Sequence, residues 1–416
     1  MANEAPILEI AGEVQLSPIW KMLPEDPGCE IAASPKAIAF HIKHLVLQDL
    51  EEMPSDDAPQ YGSYYAELLA GVLGHFRHLR RLDLDTLIPV DSSKLRELAS
   101  QRLADIHTRT STPTLLNVDE LWIRLWGPWA LPTPSSSSVT RFIGLLSLFR
   151  TIERLVVHGD RYKAPQDANE TTSCPAIPDY LRISALELRD RCLRYTGLTQ
   201  LLLTSPLITS NLSHLVIEDI CPDQVDDFKQ LWGKVPVLEH LELSIDTIPL
   251  WSGPDAYDGV IPLQERLQQF TLVLLLYPFE LSSESSNLLY HQWVNGRAVQ
   301  SACKLLLTLK RRIHSIRKLN VIMRGLCNLE HAWCAVTAPF HELDELLLEL
   351  HEGRPAVQTA VILQKWNLTT PSVEPSAEIW DSLRVKLLPE SHSAGLIRTQ
   401  EWMSRDETMD TSTGKA

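Results

Sequence analysis

CNLEHAWC, residues 327 to 334, places Cys327, His331 and Cys334 within eight positions, with His341 beyond them. Thiolate and imidazole at such a spacing are the ligand types of a tetrahedral zinc site. On a helix, 327, 331 and 334 share one face. However, no second cysteine pair follows to close a site, and the same spacing suits a covering helix that packs small residues on a sheet. We read no metal there. HELDE at His341 lacks the second histidine of the His-Glu-x-x-His helix and reads as the start of a repeat strand. The chain has no nucleophile elbow, P-loop or dinucleotide fingerprint, so it is expected to be no enzyme and to carry no cofactor. A hydrolase or zinc protein built around His331 is the competing reading.

A third stretch offers recognition in place of catalysis. LWIRLWGPW holds Trp122, Trp126 and Trp129. Trp126 and Trp129 flank a Gly-Pro turn, which suits core or a loop lid. Trp122 lies between Leu121 and Ile123, so on a strand it points away from the face that those two bury. An outward tryptophan is a natural interface anchor.

What must position these residues is a short strand written again and again. The pattern apolar-x-x-Leu-x-apolar recurs as IKHLVL, LRRLDL, VDELWI, IERLVV, ISALEL, LSHLVI, LEHLEL, LQQFTL, IRKLNV, LDELLL and, more weakly, WDSLRV. The pattern predicts strands centred on Leu45, Leu82, Leu121, Leu155, Leu186, Leu215, Leu241, Phe270, Leu319, Leu346 and Leu383. Side chains alternate along a strand, so each central residue and the one two later share a buried face. Segments of helical period intervene: YYAELLAGVLGHF, SSSSVTRFIGLLSLF, CPDQVDDFKQLWGKVP and QSACKLLLTLKRRIH. LTQLLL at Leu198 leaves too little room for a complete unit and reads as the face of a short covering helix. The fold class expected is α/β: a leucine-rich-repeat-like solenoid, with a curved parallel sheet, helices on its convex side and irregular long repeats. Turn-rich insertions such as GDRYKAPQDANETTSCPAIPD supply the extra length.

Composition agrees. The 416 residues are 44% hydrophobic and 22% charged, as in a folded protein. Glycine is scarce at 17 and proline plentiful at 27, which disfavours Gly-rich phosphate loops. The net charge of -15 argues against nucleic acid, since a phosphate backbone is repelled. No apolar stretch approaches the ~20 residues of a membrane span, and Glu4 stands where a signal peptide needs positive charge. Seven scattered cysteines suit reduced thiols, so the expected location is intracellular, in cytoplasm or nucleus.

HLRRLDL, LSHLVIED and VLEHLEL resemble the irregular leucine-rich-repeat regions of fungal F-box proteins, over roughly residues 39 to 388. That resemblance implies a protein-binding substrate receptor or adaptor of a cullin-RING ubiquitin ligase, with a protein substrate on the repeats and the ligase adaptor on the F-box. KMLPEDPGCEIAASP around Leu23 is the Leu-Pro match to an F-box opening ahead of the repeats, and the prolines at 24, 27 and 35 preclude long helices. Residues 1–38 are therefore read as an N-terminal cap or truncated F-box remnant, 39–388 as the solenoid and 389–416 as a flexible polar tail. An F-box-less scaffold with no ligase link is the alternative.

If each strand buries its pattern residues, those before, between and after them face the concave side. The partner-binding face expected from this is Trp122, Arg124, Arg154, His158, Glu187, Arg189, His214, Glu218, His240 and Glu242, a mixture of anchors and directional charge. Trp122 and Arg154 are expected to contribute most to binding and little to folding.

Overall fold

The computed structural model of the protein describes residues 7–11, 42–48, 66–67, 69–71, 73, 76, 79–85, 91–108, 115–125, 138–159, 176–189, 205–220, 234–245, 266–276, 285–312, 315–326, 340–366 and 385–402. The chain divides into two compact units, Met1–Val216 and Ile217–Ala416. In the first, β1 (Ile7–Ala11), β2 (His44–Gln48), β3 (Arg81–Asp85), β4 (Leu116–Arg124), β5 (Phe149–His158) and β6 (Arg182–Arg189) are neighbours in chain order, every pair parallel. The boundary falls inside β7 (His214–Ile220). In the second unit, β8 (His240–Ile245), β9 (Gln269–Leu275), β10 (Lys318–Leu326), β11 (Gln358–Trp366) and β12 (Ile397–Trp402) repeat the arrangement. This is an α/β fold with an open, all-parallel sheet.

Parallel neighbours cannot be joined by a hairpin and need a crossover, and helices among the described residues form several of these. α1 (Ser92–Thr108) follows β3, α2 (Ser138–Leu146) follows β4 and α3 (Pro206–Asn211) precedes β7. α4 (Ser285–Arg312), α5 (Phe340–Gly353) and α6 (Pro389–Ser393) follow β9, β10 and β11. Asp91 starts α1 by accepting from the backbone N–H groups of Ser93 at 2.8 Å and Lys94 at 3.3 Å. α1 and α2 touch where Gly144 meets Ser92: a Cβ on Gly144 would lie 2.8 Å from Ser92 Cα, so only glycine fits. Among the described residues no helix is long and apolar enough to cross a membrane.

Register explains the repeated leucine. Leu45, Leu82, Leu121, Leu155 and Leu186 stand opposite one another on successive strands, as do Leu241, Phe270 and Leu319 in the second unit. None of these eight is more than 2% exposed. Rows of this kind remove apolar surface from water at about 25 cal/mol per Å2, which favours the in-register pairing over a one-residue slip.

Two expectations are corrected. Leu346 is not on a strand: Phe340–Gly353 is a helix that buries Phe340, Leu343, Leu346, Leu347 and Leu350. LDELLL satisfies the strand pattern and the helical one, but only a helix buries 343, 347 and 350 together while exposing Glu345 and Glu349. The strand of this repeat comes later, at β11. Residues 389–402 are also no loose tail, because α6 and β12 lie there and β12 pairs with β11. In the N-terminal stretch read as a cap, β1 adds a strand to β2. Leu383, the helix expected over 221–236 and LTQLLL lie outside the described residues, apart from 234–236.

Candidate functional site

Opposite the leucine rows, the alternation places a second set of side chains on the other face of the first unit's strands. One register row runs His44, Arg81, Glu120, Arg154; the next runs Val46, Asp83, Trp122, Val156, Glu187; a third runs Arg124, His158, Arg189. Parallel strands lie about 4.8 Å apart, so opposite charges in one row come within bonding reach.

Asp83 accepts from Arg81 at 2.8 and 2.9 Å, and His44 Nε2 lies 3.2 Å from its Oδ2. Glu120 accepts from Arg154 Nη1 at 3.1 Å and from the Trp122 indole N–H at 3.1 Å, with Arg81 Nη1 3.9 Å away. Glu187 accepts from Arg154 Nε at 2.5 Å and from Arg189 Nε and Nη2 at 2.8 and 2.5 Å. The indole of Trp122 lies under the guanidinium of Arg81, 4.3 Å from the ring centroid, with that of Arg154 at 5.7 Å. His158 stacks on the same indole at 5.4 Å.

Burial alone would raise the pKa of Asp83, but the hydrogen bonds from His44 and Arg81 outweigh it and leave the carboxyl below its ordinary value. Glu187 follows the same logic: burial pushes upward, and the charges of Arg189 and Arg154 with their hydrogen bonds pull it lower. Both acids therefore stay ionised at neutral pH inside a set of arginines.

Of the ten residues expected from the repeat, Trp122, Arg154, His158, Glu187 and Arg189 are brought together here. Arg124 is exposed at the end of β4, in register with His158. His214 opens β7 in the first unit. Glu218, His240 and Glu242 belong to the second unit, where Arg324 lies 3.3 Å from Glu218 and 3.7 Å from Glu242 and donates to Gln364 at 2.8 Å. Trp122 does face away from the leucines, but it is only 7% exposed, and Glu187 only 4%. Neither is an open anchor, because the long side chains in flanking rows fold over them. His44, Glu120 and Arg324 were missed. For Glu120 a signal exists: the residue before the central leucine reads Arg81, Glu120, Arg154, a sign alternation that becomes ion pairs once strands align.

Among the described residues no group of three or more His, Cys, Asp or Glu side chains is placed to hold a metal ion. Cys327, His331 and Cys334 lie outside them, as do Trp126 and Trp129. His341 is described: it sits exposed on α5 with Glu345 at 3.1 Å. Cys303 is buried, and burial, with the charge of Glu342, pushes its thiol up to about 12, which makes it an inert core residue. Neither family models nor curated protein sequences match the chain.

Proposed function

We propose that this chain is a protein-binding module. In this reading it is a leucine-rich-repeat-like solenoid that holds a protein partner on the polar face of its sheet and acts, in cytoplasm or nucleus, as a substrate receptor or adaptor of a cullin-RING ubiquitin ligase. One observation carries the binding part: the face opposite the leucines holds arginines fixed by buried carboxylates and an indole. A face meant only to be solvated needs no such ordering. Side chains already held in place lose less freedom when a partner docks, and so contribute more to affinity. The ligase part rests on the likeness of HLRRLDL, LSHLVIED and VLEHLEL to F-box leucine-rich-repeat proteins. The prolines at 24, 27 and 35 favour the second reading, a scaffold that has the same face and no ligase link.

The test has two arms. Passing the full chain over immobilised ligase adaptor decides the ligase link: retention is expected, and flow-through leaves the scaffold reading. Hydrogen exchange on the chain with a co-purified partner decides the face. Slowed exchange in β3 to β6 is expected; slowing confined to α1 and α2 would overturn it.

A further inference from the structure

We propose that the polar face of β3 to β6 docks an acidic peptide segment, whose carboxylates engage the guanidinium groups of Arg81 and Arg154. This rests on the protein-binding reading above and gives the partner its chemistry.

The argument comes from a layering of charge. Asp83 and Glu187 lie deep, with side chains 8% and 5% exposed, while Arg81 and Arg154 lie above them at 27% and 25%. A guanidinium carries five N–H donors. Arg81 directs Nε and Nη2 to Asp83, and its Nη1 has only the 3.9 Å approach to Glu120. Arg154 uses Nε on Glu187 and Nη1 on Glu120. Among the described residues Arg154 Nη2 and Arg81 Nη1 make no hydrogen bond, and beyond these carboxylates the two guanidinium groups meet the Trp122 indole. The deep acceptors are therefore occupied, and what Arg81 and Arg154 turn outward is spare donors, beside a Glu120 side chain that is 31% exposed and has both oxygens bonded. A partner that binds here has to bring acceptors, and carboxylates form the strongest such bonds with arginine.

Spacing narrows the partner further. Arg81 and Arg154 sit in one register row on alternate strands, so their backbones stand about 10 Å apart. An extended peptide covers that span in about three residues. In a polyproline II segment, which rises about 3.1 Å per residue with three residues per turn, acidic residues at i and i+3 lie on one side and match it.

Fluorescein-labelled peptides of repeated Glu-Gly-Ser, Lys-Gly-Ser and Gly-Ser are titrated with the full chain and followed by anisotropy at low salt. The acidic probe alone is expected to bind, and Arg154→Gln to weaken it on the order of tenfold. Lys94→Gln on α1 serves as a control and should change nothing. Should Arg154→Gln melt early, Arg81→Lys is read in its place, since it keeps the charge beside Asp83 and loses the spare donors. No binding of the acidic probe, or binding indifferent to both substitutions, would overturn the proposal. If a lysine or neutral probe binds and loses affinity in Arg154→Gln, the acidic partner is wrong and the docking face stands; if no substitution on the face alters any probe, both fall.

Discussion

Trp122 follows the alternation rule and still ends up covered, because facing away from the leucines is a property of its own strand and exposure depends on its neighbours. Arg81 on β3 and His158 on β5 close over the indole, and its N–H is bonded to Glu120. Truncation therefore removes a packed ring and strips Glu120 of a donor. Trp122→Ala should cost about 3–5 kcal/mol of stability, read as a lowered urea midpoint. A loss within error would mean that the arginines and His158 close the gap without the ring. Thr359 is the opposite case. It occupies the register position of Leu319 on the next strand, is 6% exposed, and among the described residues its hydroxyl has no hydrogen-bond partner. Replacing it by the isosteric Thr359→Val should stabilise the chain by about 1 kcal/mol, since a buried hydroxyl without a partner keeps its desolvation cost. A fall in the urea midpoint would show that the hydroxyl has a partner after all.

At the scale of elements, the same Thr359 explains why β11 was hidden. A pattern with leucine or phenylalanine at its centre passes over a strand that has threonine there and fits LDELLL, whose central Leu346 lies thirteen residues earlier. Strands β2 to β10 were legible because a large apolar residue, leucine or Phe270, stands at the centre of each. β12 was not, because its equivalent of Thr359 is Gly395, at φ 72°, in the turn that leads out of α6. The candidate face was legible as a set of positions; its burial was not, since ion pairs between strands far apart in sequence decide that. The end of the chain's described part depends on one such distant contact. Buried Asp344 on α5 accepts from the backbone N–H groups of Glu390 and Ser391, each at 2.8 Å, at the start of α6, which has no cap from its own side chains. Asp344→Ala leaves those two donors without an acceptor and should cost about 2–3 kcal/mol. Faster exchange of the Glu390 and Ser391 amides, with β12 exchanging next, is the expected signature.

At the scale of the whole molecule, strands that neighbour only their successors make cooperativity local, and the two units each contain their own leucine rows. Acid should therefore act unevenly. Asp83 and Glu187, both in the first unit, have folded pKa values below their ordinary ones. An unfolded chain binds protons at these groups near pH ~4, while the folded unit binds them only at lower pH. Their stabilisation is thus fully present above the unfolded values and is lost as pH falls through the folded ones. Urea titrations from neutral pH down to about pH 2, on Trp122→Ala to mark the first unit and Asp344→Ala to mark the second, separate the contributions. The transition displaced by Trp122→Ala should weaken steeply below pH ~4, and Asp83→Asn with Glu187→Gln should flatten that slope while lowering stability at neutral pH. One shared transition with one acid slope would show instead that the two units unfold as a single body.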